Sequence, residues 1–384
     1  MVLASLITAA AVAVAMDQYL SGRRINNLLD ADRAALMAGR VERDAIRLLE
    51  KDAALGRQDV TTEEWAVLRL REDDLGLQAE GGLRDLQGLF NLTNLSPDPA
   101  FAGGTAAGIG AVANRLDLDT AEAMDDPSAV LADENQTGTT FPPEDADQFS
   151  IGDEAQADGA EAAVTGAPPP ARAGGGSPTP VAPGEAAERR FRLLFKALEL
   201  DETPIQAILD WVDPDSETRF PNGAEDDYYS RQKPAYRTAN RPFASVHELR
   251  LVKGMTAEIF ARLAPFVVCL PNATPLNVNT APKEVLMSLG PAVSSSTAAV
   301  LIRVRETQPF MTVDAFLKHP LLQYAQMEAG DLALASDFFE LRTTVRSPRF
   351  EHTTLSLLAR NQNKVRRISR QQEVLVTALP GGQP

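Results

Sequence analysis

Strand-like alternation occurs at two places far apart in this chain, and that separation limits the folds open to it. EGGLRDLQGLFNL (80–92) reads as two short strands, with Gly81-Gly82 and Gly88 as bend signals. FFELRTTVR (338–346), FEHTTLSLLAR (350–360) and Val365 to Val374 alternate again, separated by Ser347-Pro348 and Asn361-Gln362-Asn363. These three read as an antiparallel meander. Strands need partners, so one β unit is expected to be split between 80–92 and 338–374, with the intervening chain inserted into it.

Before the first strands, Met1 to Met16 (MVLASLITAAAVAVAM) is apolar apart from Ser5 and Thr8. It is shorter than the roughly 20 residues of a bilayer span and lacks a basic region before it. It reads as an uncleaved anchor or a truncated signal segment. With no proline to stop it, the pattern continues to Lys51 through Leu20, Ile25, Leu28, Leu29, Leu36, Val41, Ile46 and Leu49, near a 3.6-residue period. One long helix is expected, apolar in its first half and amphipathic in its second. A short helix is expected over Thr61–Leu70. A long helix leading into strands indicates an α+β unit with the helix laid on a sheet.

The formal charge of −16 is unevenly placed. Between Leu116 and Ala171 there is no Lys or Arg and there are fourteen acids, so the rest of the chain carries a formal −2. From about Ser96 to Gly184, Ala, Gly, Pro and acids dominate. Such a segment buries too little to offset its ordering entropy and is expected to be disordered, with a weak helix over Thr105–Leu118. One cysteine excludes a disulfide framework, and three scattered histidines argue against a zinc centre.

Residues 185–334 read as an all-helical domain of two similar short-helix units. Glu185–Leu200 is amphipathic, and Thr203 and Pro204 mark the start of a helix ending at Trp211. Ser245 with Glu248 has the capping-box spacing, a Gly254 turn follows, and Thr280 is the expected cap of the next helix. A helix to Thr307 and another from Asp314 complete the set. Cys269, in an apolar run, reads as a small core residue and not as a nucleophile.

Within this domain, 210–241 (DWVDPDSETRFPNGAEDDYYSRQKPAYRTANR) is too acidic and too rich in turn signals for a core or a regular helix. Asp213 and Asp215 are spaced to aim two oxygens at one cation, and Asn222-Gly223 turns Glu225 and Asp226 back toward them. Asn240 offers a further carbonyl oxygen. Hard oxygen donors without His or Cys fit Ca²⁺ rather than Zn²⁺, although the spacing is not that of an EF-hand. The same composition also describes a solvated acidic loop. Glu217 and Asp227 are expected to be exposed. Trp211, Tyr228, Tyr229 and Tyr236 are expected to pack the loop onto its domain. The cluster Arg360, Lys364, Arg366, Arg367 and Arg370 reads as a solvated edge or subunit contact. No nucleophile elbow, P-loop or zinc-protease motif is present, and an enzyme is not expected.

Four segments, in order, together resemble the minor pseudopilin K family of the type II secretion system: Asp85–Leu95, Asp210–Tyr229, Tyr236–Met255 and Leu276–Leu286. The resemblance implies an α+β, pilin-like fold: a long N-terminal helix on an antiparallel sheet, with a large all-α domain of helix–hairpin–helix or SAM-like type inserted into the sheet. It divides the chain into a membrane and pilin helix (1–53), a first β part (54–95), the acidic insertion (96–184), the α-domain (185–334) and the C-terminal strands (335–384). It implies a place at the tip of a periplasmic pseudopilus with pseudopilins I and J, and contact with the major pseudopilin and the inner-membrane secretion platform. A single-pass inner-membrane anchor with the bulk of the chain in the periplasm is also implied, as is Ca²⁺ near the α-domain. Family members carry a leader cut by the prepilin peptidase; none precedes Val2, so the true start is expected upstream. The first acid is Asp17, consistent with a K-type member that lacks the acid near the mature N-terminus. The insertion is longer than the family leads one to expect. Two rival readings remain open at this point. One is a helix–hairpin–helix protein for DNA uptake, disfavoured by Pro291 in one turn and by few nearby cations; nucleic acid is not an expected partner. The other is a calcium-dependent surface enzyme or adhesin.

Overall fold

The two β segments do meet. The computed structural model describes residues 2–56, 58–67, 70–74, 77–97, 183–323, 325, 327, 329–347 and 351–375. The weak helix expected over 105–118, and almost all of the insertion expected over 96–184, lie outside the described residues. The described residues belong to one compact unit made of 1–112 and 181–384.

Helix α1 (Val2–Leu55) is uninterrupted, as the lack of proline predicts. Among its described side chains, burial on one face begins only at Ala34 and continues through Met37, Ala38, Val41, Ala45 and Leu49, in steps of three and four residues. Small residues on that face let the helix lie close to the sheet. Leu20, Ile25, Leu28, Leu29 and Leu36, which share the apolar periodicity, are exposed instead because no element among the described residues lies over them. Among the described residues no helix is long and apolar enough to cross a membrane.

A one-turn helix α2 (Glu64–Val67) follows, then β1 (Leu70–Asp74), β2 (Leu77–Asp85) and β3 (Phe90–Asn91). Strand β1 was not expected, since its LREDD sequence has low strand propensity. It is held by pairing with β2, Leu70 opposite Gly81 through Asp74 opposite Leu77, and its charge suits a sheet edge. Helices α3 (Pro183–Ala197), α4 (Ile205–Val212), α5 (Asp226–Tyr229) and α6 (Ala257–Leu263) come next, then β4 (Val267–Val268) and β5 (Leu276–Asn277). After them come α7 (Lys283–Met287), α8 (Ser295–Thr307), α9 (Val313–Leu317) and β6 (Leu332–Ala333). The chain ends in β7 (Phe338–Arg346), β8 (Glu351–Asn361) and β9 (Lys364–Leu375).

The main sheet has the order β1-β2-β7-β8-β9, antiparallel throughout. Gln78 pairs with Arg346 and Asp85 with Phe339, so a strand from the first quarter of the chain is joined to one near its end. A bulge at Ile368 separates the Leu357–Ser369 and Leu358–Arg367 pairs. Trp65, Phe339, Leu341, Val345 and Leu358 form the core with α1, and the Trp65 and Phe339 rings meet edge to face at 5.2 Å. The chain is therefore α+β, of mixed helix and antiparallel sheet.

The helices have a second core around Phe191, Phe195, Ile208, Trp211 and Tyr229. Phe90, Leu92 and Leu95 join this core rather than the sheet. The segment is not wholly helical as expected: β3 pairs with β4, and β5 with β6, in two-residue parallel ladders. Three expected caps also differ. The Thr203 hydroxyl donates to Asp201 and does not cap α4. Ser245 accepts from His247 N–H at the head of a 3₁₀ turn, Val246–Leu251, where an α-helix was expected. The Thr280 hydroxyl donates to Asp85, and α7 begins after Pro282.

That last bond belongs to the joint between the two cores. Asp85, at the end of β2, accepts from Thr280, Ser336 Oγ (2.7 Å), Asn277 Nδ2 (3.0 Å) and the Gln87 N–H (2.8 Å). Asn277 Nδ2 also reaches the Asp59 carbonyl at 3.1 Å. A polar knot thus ties the end of β2 to the start of the Asn277–Ala281 turn.

The basic cluster is the clearest departure in the C-terminal strands. Arg360 is buried against Asp59 and Asp52, and Arg367 and Arg370 reach Glu42 of α1 at 2.7 and 2.6 Å. Of the five expected surface cations, Arg360 is therefore buried and Arg370 half-buried, whereas Arg367 bridges to Glu42 while staying exposed, as Lys364 and Arg366 are. Alternation alone does not show which neighbour supplies the acids.

Candidate metal centre in the acidic loop

Helix α4 ends in DWV, and its apolar face (Ile205, Ile208, Leu209, Val212) is buried. This fixes Asp210 and Asp213, three residues apart and so on one side of the last turn. Both are buried, and Asp215 follows at the surface. The chain returns at Gly223, where a side chain would overlap the Arg219 carbonyl oxygen and Asp210 Oδ2. Only glycine lets the loop pass this close, and it delivers Glu225 into the interior at 4% exposure.

Asp213, Asp215 and Glu225 each bring a carboxylate oxygen to within 4.8 Å of the others. Asp213 Oδ1 and both oxygens of Glu225 are buried without a hydrogen-bond partner among the described residues. Asp210 takes the Ala224 N–H at 2.7 Å and the Arg219 N–H at 3.2 Å. Arg219 is the nearby cation, its Nε 3.1 Å from Asp213 Oδ2. Four carboxylates against one guanidinium leave a strong negative excess. Burial above all, then the Asp210 and Asp213 charges, pushes Glu225 up to about 7. Asp213 rises to about 6, again chiefly through burial and despite the hydrogen bond from Arg219. Unpaired buried carboxylate oxygens are costly, and a hard cation is the partner that such a set of oxygens fits.

Not every expected ligand is in this group. Asp226 turns away: its Oδ1 accepts the Thr238 N–H and hydroxyl at 2.9 and 2.8 Å, which hold its carboxyl below the usual range. The Asn240 side chain donates its Nδ2 to the Asp215 carbonyl at 3.1 Å, bracing the loop beside the cluster. Asp210 was not expected to contribute; its three-residue spacing from Asp213 at a helix end is the signal that marks it. Glu217 and Asp227 are exposed, as expected.

The aromatics do pack the loop. The Trp211 and Tyr229 rings meet edge to face at 5.3 Å, and Phe243 stacks on Trp211. Tyr236 Oη donates to the Leu251 carbonyl at 2.7 Å, and Tyr229 Oη accepts the Lys253 N–H at 3.2 Å. Gly254, with φ at +81°, makes the tight turn that places Lys253 over this wall, its Nζ donating to the Gly223 carbonyl at 3.0 Å. Cys269 is half-buried, and burial pushes its thiol up to about 12, far from a thiolate nucleophile.

Two family models match the chain, both described as Type II secretion system (T2SS), protein K, over residues 88–272 and 276–335. Type II secretion system protein K of Pseudomonas aeruginosa is 33% identical over 187 residues, which is 47% of this chain and 56% of the relative. The Klebsiella pneumoniae protein of that name is 39% identical over 140 residues, 35% of this chain and 43% of the relative. The matches thus span about half the length of these curated relatives. Among solved structures, a chain of the GspK-GspI-GspJ complex from the enterotoxigenic Escherichia coli Type 2 Secretion System shares the fold, with a TM-score of 0.63 at 19% identity. That likeness covers 91% of this chain and 99% of the other.

Proposed function

The chain belongs to the type II secretion system protein K family, and we propose that it acts as a minor pseudopilin at the tip of a periplasmic pseudopilus. The observation that carries this reading is the family match over residues 88–272 and 276–335, which takes in the helical unit between β2 and β7. The fold is in keeping with it: a long helix on an antiparallel sheet whose strands β2 and β7 are separated in sequence by the helical unit. In this reading that unit is a pilin-like fold's inserted α-domain. Its bulk blocks stacking of a further subunit above it, so it caps the fibre and helps start assembly for export of folded proteins across the outer membrane.

The exposed apolar positions of α1 before Ala34 are the surface offered to neighbouring helices. In the same reading they hold the chain in the inner membrane before extraction and pack among pseudopilin helices afterwards. The partners are minor pseudopilins I and J, then the major pseudopilin and the inner-membrane platform. Asp213, Asp215 and Glu225, with Asp210 behind them, hold Ca²⁺, which would neutralise the buried carboxylates and lock the loop to α4. The ion is a clasp, and no chemistry passes through it.

Affinity purification from the native host, with and without a calcium chelator, tests the reading. Pilin-like proteins are expected with the intact chain and fewer of them after chelation. Recovery of no pilin-like partner under either condition would refute the pseudopilin assignment, whereas chelator-resistant recovery would remove only the calcium clasp.

A further inference from the structure

A second group of carboxylates lies outside the loop, where α1 ends. Asp52 in its last turn, Asp59 and Glu63 each bring a carboxylate oxygen to within 4.8 Å of the others. The segment carrying Asp59 is anchored on both sides. The Asp59 N–H donates to the Leu334 carbonyl at 2.8 Å, and its own carbonyl accepts from Asn277.

The hydrogen bonding of this group is incomplete in one particular place. Asp59 is 1% exposed. Its Oδ2 accepts from the Ser336 N–H at 2.6 Å and from Arg360 Nη2, while its Oδ1 is buried with no hydrogen-bond partner among the described residues. Glu63 Oε2 accepts from the Val60 N–H at 3.0 Å and from Trp65 Nε1 at 2.8 Å. Asp52 Oδ2 takes Arg360 Nη1 at 3.3 Å. Arg360 cannot turn to serve Asp59 Oδ1 without giving up bonds, since Nη2 also donates to the Ser336 carbonyl at 2.6 Å and the guanidinium lies over the Phe339 ring.

Three carboxylates and one fixed guanidinium leave a net charge of −2, which a single divalent cation cancels. The donors are hard oxygens, and a site with so buried a ligand favours the ion that sheds water readily.

We propose that Asp52, Asp59 and Glu63 form a second divalent-cation site, for Ca²⁺ in preference to Mg²⁺, that fastens the end of α1 to the segment beneath it and to β8. The site is separate from the 210–226 loop and does not depend on the secretory reading.

The two tryptophans, Trp65 and Trp211, allow the sites to be read separately. In a full-length chain carrying Asp213→Ala and Glu225→Ala, Tb³⁺ is added and tryptophan is excited. Sensitised emission is expected through Trp65, displaced by Ca²⁺ but not by equal Mg²⁺, and lost when Asp59→Asn is added to a chain whose circular dichroism stays folded. Should that variant unfold, Glu63→Gln replaces it, and loss of emission is again the expected result. Calorimetry on the unsubstituted chain is the independent measure, with two Ca²⁺ expected per chain and one remaining after the loop substitutions. Absence of emission in the loop variant, emission indifferent to both substitutions, or no Ca²⁺ left after the loop is disabled would show that protons and Arg360 alone balance this cluster, and would overturn the proposal.

Discussion

Two residues show how single side chains set the geometry. Gly223 is required by crowding: a methyl group there would meet a backbone oxygen and the Asp210 carboxylate, neither of which can move freely. Gly223→Ala should destabilise the chain by about 1–3 kcal/mol in urea unfolding, by overpacking the loop crossing. Asp85 has four donors around it, yet burial outweighs them and lifts its carboxyl to about 6. Since this lies above the unfolded value near 4, the stability contributed by protonation is fully present below about pH 4 and is lost as pH rises through about 6. In chelator-treated buffer, the stability difference between wild type and Asp85→Asn should shift against wild type by about 3 kcal/mol from pH 4 to pH 7. A difference that does not change across that range would contradict the assigned burial of a charge.

Among the elements, α1 and β9 are joined by a charge contact that crosses most of the chain. Burial alone would raise the Glu42 carboxyl, but hydrogen bonds from Arg370 and Ser356 and the charges of Arg370 and Arg367 bring it net below its ordinary value. Glu42→Ala removes the partner shared by the partly exposed Arg367 and Arg370 and the acceptor of Ser356, and should cost about 1–2 kcal/mol by chemical denaturation. Glu42→Gln should lose less, because the Ser356 hydroxyl keeps an acceptor. A loss equal to that of the alanine change would show that charge alone matters here. The three helix starts named from the sequence, Thr203, Ser245 and Thr280, do not cap α-helices, and the α-helix caps are residues that reading did not single out. Thr256, Ser294 and Thr312 cap α6, α8 and α9, because each has no stronger competitor than the helix N–H it faces. Thr280 has the Asp85 carboxylate instead, and a charged acceptor wins over a cap.

For the whole molecule, the proposed cap makes a prediction about the fibre. Removing the helical unit between β2 and β7, with a short linker in its place, should lengthen or deregulate the pseudopilus seen on cells that overproduce it. Unchanged fibre length would leave the bulk of that unit without the proposed role.

The sequence by itself determined the period-dependent features: one unbroken N-terminal helix, the C-terminal strands to within a residue or two, the split of the β unit, and the acidic loop as a place where oxygens converge. Each depends on spacing that neighbouring residues impose on one another. The tertiary structure decided what depends on distant partners. It showed that β1, with a poor strand sequence, is held by β2, and that Phe90 and Leu92 join the helical core. It also placed Asp210 in the loop cluster and turned Asp226 out of it. Most of all, it showed that a buried Arg360 meets Asp59 and Asp52, and that Arg370 and the more exposed Arg367 reach the buried Glu42, all some 300 residues away along the chain. A charge is an ordinary surface residue by its local pattern, and becomes a fastener only when folding brings its counter-charge out of water beside it.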